Sequence, residues 1–289
     1  MSFSWKNRQA WFDSLTSNPP EVLILGGGVV GCSIAAHASA MGLNCVLLER
    51  SDLATGASGN STGLAHAGLR YLTKGQVWYV FREGRERDRI EQLAPHWVRP
   101  FNFLFPVYRG DPFGLSMVRL GTWIYDGMAR LDALWSRRAL PRQHRVARIP
   151  ELLDRIPGLR TDGLQGATEY FVDAQLQDGR FTLGWAQQAA RHGARIITYA
   201  EASGFHNKSG EPHQICCRDL VRNEERVTLA PLVINATGAW IDTVRQAAGF
   251  SKPAVVPRQG IHLIVDQLAG TPLIFSTETP GRVFFIIPA

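Results

Sequence analysis

An α/β fold with a parallel sheet is predicted for this 289-residue chain. Three observations carry the expectation. Glu21 to Leu25 is a short apolar strand that runs straight into Gly26-Gly27-Gly28-Val29-Val30-Gly31. An alanine-rich helix, Cys32 to Met41, and a second apolar strand, Asn44 to Leu48, follow at once. Far downstream, Val233-Ile234-Asn235-Ala236-Thr237-Gly238-Ala239-Trp240 reads as another buried strand that ends on a glycine turn. Short unbroken apolar runs suit strands that are covered on both faces.

Composition excludes several classes. Hydrophobic residues make up 45% and charged residues 19%, which argues against disorder. The formal charge of +6 permits an anionic partner. No zinc-finger spacing, RNA-binding aromatic signature or repeated basic stripe accompanies it, so a nucleic-acid partner is not expected. Cys32, Cys45, Cys216 and Cys217 show no Cys-x-x-Cys spacing, so no metal site is expected, and adjacent Cys216 and Cys217 suit a reducing, cytoplasmic compartment. Met1 to Asp13 carries Trp, Lys, Arg and Asp, unlike a secretory signal. Val22 to Leu48 holds no Asp, Glu, Lys or Arg, a length that could span a bilayer. The three glycines from Gly26, with His37, Gly42 and Asn44, instead divide it into strand, turn, helix and strand.

Each part of this first segment has a mechanical reason. The first glycine of Gly-x-Gly-x-x-Gly allows a tight turn, the second lets backbone approach a pyrophosphate, and the third lets helix and strand pack closely. Amides at the helix start and the helix dipole favour phosphate. Glu49 follows Gly31 by 18 residues, close to the spacing at which an acid accepts both ribose hydroxyls. These features predict a dinucleotide cradle at Gly26, Gly27, Gly28, Val30, Gly31, Glu49 and Arg50. An acid at this position favours an unphosphorylated ribose, as in FAD or NAD.

The next segment, Asp52 to Leu72, is rich in small and hydroxyl-bearing residues and ends on His66, Arg70 and Tyr71. It contains Asp52-Leu53-Ala54, then Ser58 to Thr62, then Leu64-Ala65-His66-Ala67-Gly68-Leu69-Arg70-Tyr71. This run resembles the FAD-dependent glycerol-3-phosphate dehydrogenases, within the D-amino-acid-oxidase-like flavoprotein superfamily. One departure is Gly63, where many members have Lys. Further segments are similar to the family: Leu93-Ala94-Pro95-His96 with Arg99-Pro100, Met117 to Gly121 with Tyr125-Asp126, and Asp178 with Arg180-Phe181. Thr198 to Ser203, Val233 to Trp240, Gln259 to His262 and Gly281 to Phe285 extend the resemblance over roughly residues 20 to 289.

The resemblance implies a Rossmann-like, glutathione-reductase-like FAD-binding domain interleaved with an α+β substrate domain. It implies FAD contacts at Ser58, Ser61, Thr62, Leu64, His66, Ala202, Ala236, Thr237 and Gly238. It implies oxidation of sn-glycerol 3-phosphate to dihydroxyacetone phosphate, with hydride passing from C2 to flavin N5 and electrons on to a quinone. Arg70 and Arg282 are the candidate phosphate forks, because guanidinium pairs bidentately with phosphate, and Tyr71 is a hydroxyl partner. His66 is a candidate base, a hydrogen-bond donor to the flavin, or a satisfied core histidine; these stay open. So do two other readings: another flavin oxidase of 2-hydroxy acids or amino acids, and a non-catalytic FAD-binding fragment. In the family the strand at Phe284 to Ala289 leads into a Gly-Thr-Thr-Asp segment and a helical C-terminal domain. The resemblance therefore matches the N-terminal part of a longer enzyme.

Residues 1–19 read as an N-terminal arm. Residues 20–75 and 165–245 read as the FAD-binding domain, and 76–164 and 246–289 as the substrate-facing domain. Ser203 to Glu225 reads as a hairpin turn region. Phe113 to Trp135 is largely apolar and precedes Arg137, Arg138, Arg142, Arg145 and Arg148. Such a pair suits either a substrate-domain helix or a peripheral contact with the inner face of the cytoplasmic membrane. A homodimer is left open.

Overall fold

A computed structural model describes residues 3–136, 144–206, 210–277 and 282–288, without the side chains of Arg70 and Val172. Arg137, Arg138, Arg142 and Gly281 therefore lie outside the described residues, as does the Arg70 side chain. The first half runs α1 (Trp5–Asp13), β1 (Val22–Leu25), α2 (Val29–Ala40), β2 (Cys45–Glu49), β3 (Leu64–Ala65), α3 (Val77–Leu93), β4 (Val98–Tyr108) and α4 (Leu115–Trp135). Then come β5 (Arg145–Ala147), α5 (Ile149–Arg155), β6 (Leu164–Leu176), α6 (Asp178–Arg191), β7 (Arg195–Thr198) and β8 (Ala200–His206). The chain continues with β9 (His213–Asp219), β10 (Glu224–Ala230), β11 (Leu232–Asn235), α7 (Ile241–Ala247), β12 (Leu273–Ser276) and β13 (Val283–Ile286). Val22 to Leu48 is strand, helix and strand, and among the described residues no helix is long and apolar enough to cross a membrane.

Two compact units form, residues 1–62 with 177–261, and residues 63–176 with 262–289. In the first, among the described residues, a parallel sheet has the order β11-β1-β2-β7. Its strands bury both faces by strict alternation. Leu23, Leu25, Val46, Leu48 and Ile197 face one core; Val22, Ile24, Cys45, Leu47 and Ile196 face the other. The second of these cores receives Ala35 and Ala36 of α2 against Ala186, Ala189 and Ala190 of α6. Small side chains let these helices approach closely, and the Ser39 hydroxyl donates to the Ala35 carbonyl at 2.6 Å. Burial pushes the Cys32 and Cys217 thiols up to about 12, so both are neutral packing groups.

Two expectations change here and a third is extended. Residues 1–19 are more than an N-terminal arm: Trp11, Phe12 and Leu15 are core residues under the sheet. Their apolar face was hidden in a helix that also carries Lys6, Arg8 and Asp13. Ser203 to Glu225 does hold hairpin pairing, β8 with β9 and β9 with β10, and the resulting antiparallel sheet sends alternate residues such as Ile215 and Cys217 into the same core. The unit boundaries fall after residues 62, 176 and 261 rather than after 75, 164 and 245.

β6 explains that shift. It stays extended over 13 residues and pairs antiparallel with β4 along almost all of its length, so it cannot be cut at 165. Among the described residues the second unit's sheet runs β13-β12-β4-β6-β3, with β5 also on β6. One face holds Phe103, Phe105, Val107 and Tyr170 against Val80 of α3 and Val118 and Tyr125 of α4. The other holds Leu104, Ala167 and Leu273 against Leu152 of α5.

Candidate functional site

In the first unit, the turn from β1 to α2 is built from bare backbone. Gly26 sits at φ +107°, and a Cβ there would lie 2.6 Å from the Ala236 carbonyl oxygen. A Cβ on Gly31 would lie 1.9 Å from the Gly26 carbonyl oxygen, so the strand and helix pass each other at a distance only glycine allows. On Gly27 it would lie 2.9 Å from the Glu49 Cβ and 2.7 Å from Leu53 Cδ2. α2 begins with Gly28 as its N-cap, which offers no side chain, and the Val29 N–H donates to the Ser58 hydroxyl at 2.9 Å. Val30 is exposed on the first turn.

Glu49 closes the same crevice from the end of β2. Its two oxygens accept the Gly27 N–H at 2.6 Å and the Ser51 N–H at 2.7 Å. These bonds fix the carboxylate at the mouth of the glycine turn, and each oxygen keeps a second lone pair for a hydroxyl. Arg50 points away to an exposed ion pair with Glu201 at 3.5 Å. Ala202, next along β8, is half-buried against the core beneath.

The β11 turn meets this site at Gly26. The Ala236 N–H donates to the Leu25 carbonyl at 2.8 Å. Asn235 Oδ1 accepts both the Thr237 hydroxyl, at 2.6 Å, and the Thr237 N–H, at 3.3 Å, and Gly238 follows at φ +58°. Sequence reasoning singled out Thr237 but not its holder Asn235; a short amide side chain before a turn was the available signal. Trp240 closes the same motif without having been named as a contact, and its ring would lie 3.2 Å from a Cβ on Gly56. Ser61 donates its hydroxyl to Asp178 at the start of α6, and Thr62 is exposed. The residues present fit a dinucleotide: bare glycine backbone at a helix start, a fixed acid 18 positions on, and a glycine turn beside them.

The second unit carries the remaining candidates. Leu64 lies on β3, and His66 is exposed just after it. Gly68, at φ +74°, turns the chain into a short 3-10 helix, Leu69–Lys74, that bears Arg70 and Tyr71. The Tyr71 ring packs edge-on against Tyr79 at 5.2 Å, with the Lys74 ammonium 5.9 Å from its face. Arg282 is exposed at the entry to β13, and its carbonyl accepts the Thr277 N–H at 3.3 Å. His66, Arg70 and Tyr71 are thus gathered on one segment. Arg282 belongs to the same sheet, but β13 and β3 are opposite ends of its strand order.

The comparisons agree with this geometry. The family model described as FAD dependent oxidoreductase matches residues 21–289. The aerobic glycerol-3-phosphate dehydrogenase of Staphylococcus epidermidis is 33% identical over 294 residues, covering 100% of this chain and 51% of that protein. That of Staphylococcus aureus is 32% identical with the same coverage. The chain therefore spans about half the length of these curated relatives. The structure of glycerol-3-phosphate dehydrogenase from Bacillus halodurans, complexed with FAD, superposes with a TM-score of 0.72 at 24% identity, covering 99% of this chain and 49% of that one. With the glycine turn, the acid and the match over 21–289 in agreement, the chain belongs to the FAD dependent oxidoreductase family.

Proposed function

We propose that this chain is the FAD-binding and substrate-facing part of an enzyme that oxidises sn-glycerol 3-phosphate to dihydroxyacetone phosphate and delivers the electrons to a quinone. The observation that carries the reading is the alignment of the whole chain with relatives named for that reaction. The fit of Gly26 to Gly31 and Glu49 to a flavin dinucleotide supports it. Held there, the flavin supplies a two-electron acceptor for the substrate C–H bond.

The chain's own groups do the rest. Arg70, Tyr71 and Arg282 bind and orient the phosphate, because a dianion needs charge-assisted donors that hold their geometry. His66 takes the C2 hydroxyl proton at a ring nitrogen. The test is anaerobic mixing of the FAD-loaded protein with glycerol 3-phosphate, and separately with hydroxy and amino acids. Bleaching of the flavin bands only by the phosphate is expected; bleaching only by an amino or hydroxy acid overturns the assignment. Arg70→Ala should weaken substrate binding by about 2–5 kcal/mol, the cost of removing one partner of a buried charge pair. Unchanged affinity removes Arg70 from the site.

A peripheral membrane contact belongs to the same proposal. α4 buries Val118, Thr122, Tyr125 and Asp126 but exposes Met117, Leu120, Trp123, Leu131, Leu134 and Trp135, with Trp123 at 60% and Trp135 at 74%. An exposed helix face of this kind, with Arg119 also exposed, suits the boundary of an anionic bilayer. The protein should co-sediment with phosphatidylglycerol vesicles, and Trp123→Glu with Trp135→Glu should release it. Equal vesicle binding by wild type and double variant rejects α4 as the contact.

A further inference from the structure

Ala67 lies between His66 and the Gly68 turn, and its backbone amide is tied to a buried polar hub. The Ala67 N–H donates to the Tyr125 hydroxyl at 2.9 Å, and that hydroxyl donates to Asp173 Oδ1 at 2.6 Å. The Tyr170 hydroxyl also bonds Asp173. Arg87 stands 3.8 Å from the same oxygen, while its Nε and Nη2 bond Asp88 at 2.8 and 2.5 Å. Tyr125 and Tyr170 are 2% and 1% exposed, and Asp173 and Arg87 are 6% and 5% exposed. Burial pushes the Asp173 carboxyl above its usual range, against the pull of Arg87, Tyr125, nearby His66 and Tyr170.

This hub is more elaborate than packing requires. An apolar residue at 125 would satisfy the neighbouring aromatic core, and a buried acid is costly unless its partners are complete. What the hub does have is a hydrogen bond from a main-chain amide of the segment after β3. Immediately after that amide the chain makes a left-handed turn that the Tyr71 ring seals, since a Cβ on Gly68 would lie 2.6 Å from Tyr71 Cδ2. The position of the Ala67 amide therefore sets where His66 sits and where the Leu69–Lys74 turn begins.

We propose that Tyr125 and Asp173, backed by Arg87, are positioning residues that hold the Ala67 amide and so aim the His66 to Tyr71 segment at the substrate. The substrate half of this statement rests on the function proposed above; the holding of the segment does not. The test is Tyr125→Phe in the full FAD-loaded chain, which keeps the ring and removes the hydroxyl. Hydrogen exchange in residues 64–74 should speed up about tenfold, the loss of one net hydrogen bond, while α2 and the flavin absorbance stay unchanged. The affinity for dihydroxyacetone phosphate, read as a perturbation of the oxidised flavin bands, should fall about tenfold on the same arithmetic.

Exchange in 64–74 that matches wild type, or that rises no more than in β4 and β6, overturns the positioning role. Product affinity equal to wild type overturns the aim at substrate. A wild-type protein whose flavin bands ignore the product overturns the substrate reading, and exchange then decides the holding role alone. If Tyr125→Phe does not fold, the same readouts are taken on Asp173→Asn, which keeps the hub's shape. Unchanged exchange and unchanged product affinity in that variant overturn the proposal.

Discussion

Gly31→Ala is expected to cripple flavin binding. The added Cβ would lie 1.9 Å from the Gly26 carbonyl oxygen and 3.5 Å from the Ala236 Cβ. The first contact is with backbone, so no rotamer change relieves it; α2 must move off β1 or the glycine turn must open. Overpacking of this kind costs about 1–3 kcal/mol, which as affinity is roughly fivefold to more than a hundredfold. Two comparisons isolate the cause. Gly28→Ala meets a side chain, Ser58, at 3.0 Å and should disturb the fold less, but as the second glycine of the motif it should still lower flavin affinity by crowding the pyrophosphate. Gly42→Ala has open space but φ +86°, so it carries backbone strain alone, about 1–2 kcal/mol, and should leave flavin affinity intact. Titration of each apoprotein with FAD, followed in the visible bands, checks the order. A Gly31→Ala protein that binds flavin like wild type would remove the turn from the cofactor site.

The contrast among these glycines also explains what was legible in the sequence. Although the Gly26 demand comes from Ala236 far along the chain and left no local trace, the cradle's backbone is a local device: β1, the turn, α2 and β2 are contiguous, and Gly31 answers a steric demand from Gly26 five residues before it. Glu49 was legible for the same reason, because the helix length fixes its distance from Gly31. The 211-residue separation between Arg8 and Asp219 left no such trace, so α1 looked like an arm. The hub at Tyr125 failed in the same way: Arg87, Tyr125 and Asp173 come from three different elements, and Ala67 from the segment after β3. The boundary at 62 was missed because composition stays small and polar from Asp52 through Thr62 and beyond, while the change of sheet begins only where Leu64 and Ala65 pair with Gln175 and Ala174.

Asp219→Ala is expected to produce the largest loss of stability in the first unit. Arg8 Nη1 and Nη2 donate to the two Asp219 oxygens at 2.8 Å each, and Nε and Nη2 also donate to the Thr198 and Tyr199 carbonyls at 2.7 and 2.8 Å. The pair thereby pins α1 to the bend between β7 and β8, where Tyr199 holds φ +53°. The Asp219 side chain is 0% exposed and that of Arg8 4%, so removing the acid strands a guanidinium in the interior, at a cost of about 3–5 kcal/mol. Arg8→Met with Asp219→Leu removes both charges and should recover much of it. The pH dependence has a definite sign. Burial raises the Asp219 pKa, but the Arg8 hydrogen bonds and the Val221 and Arg222 amides outweigh it and hold the carboxyl below its ordinary 3.8. A depressed folded pKa contributes stability above the unfolded value and loses it as pH falls through the folded one. Urea unfolding followed by circular dichroism should therefore show a wide gap between wild type and Asp219→Ala at pH 7 that narrows toward pH 3. A gap that stays constant would mean the cost lies in lost packing, and no gap at all would mean that α1 is held by Trp11, Phe12 and Leu15 alone.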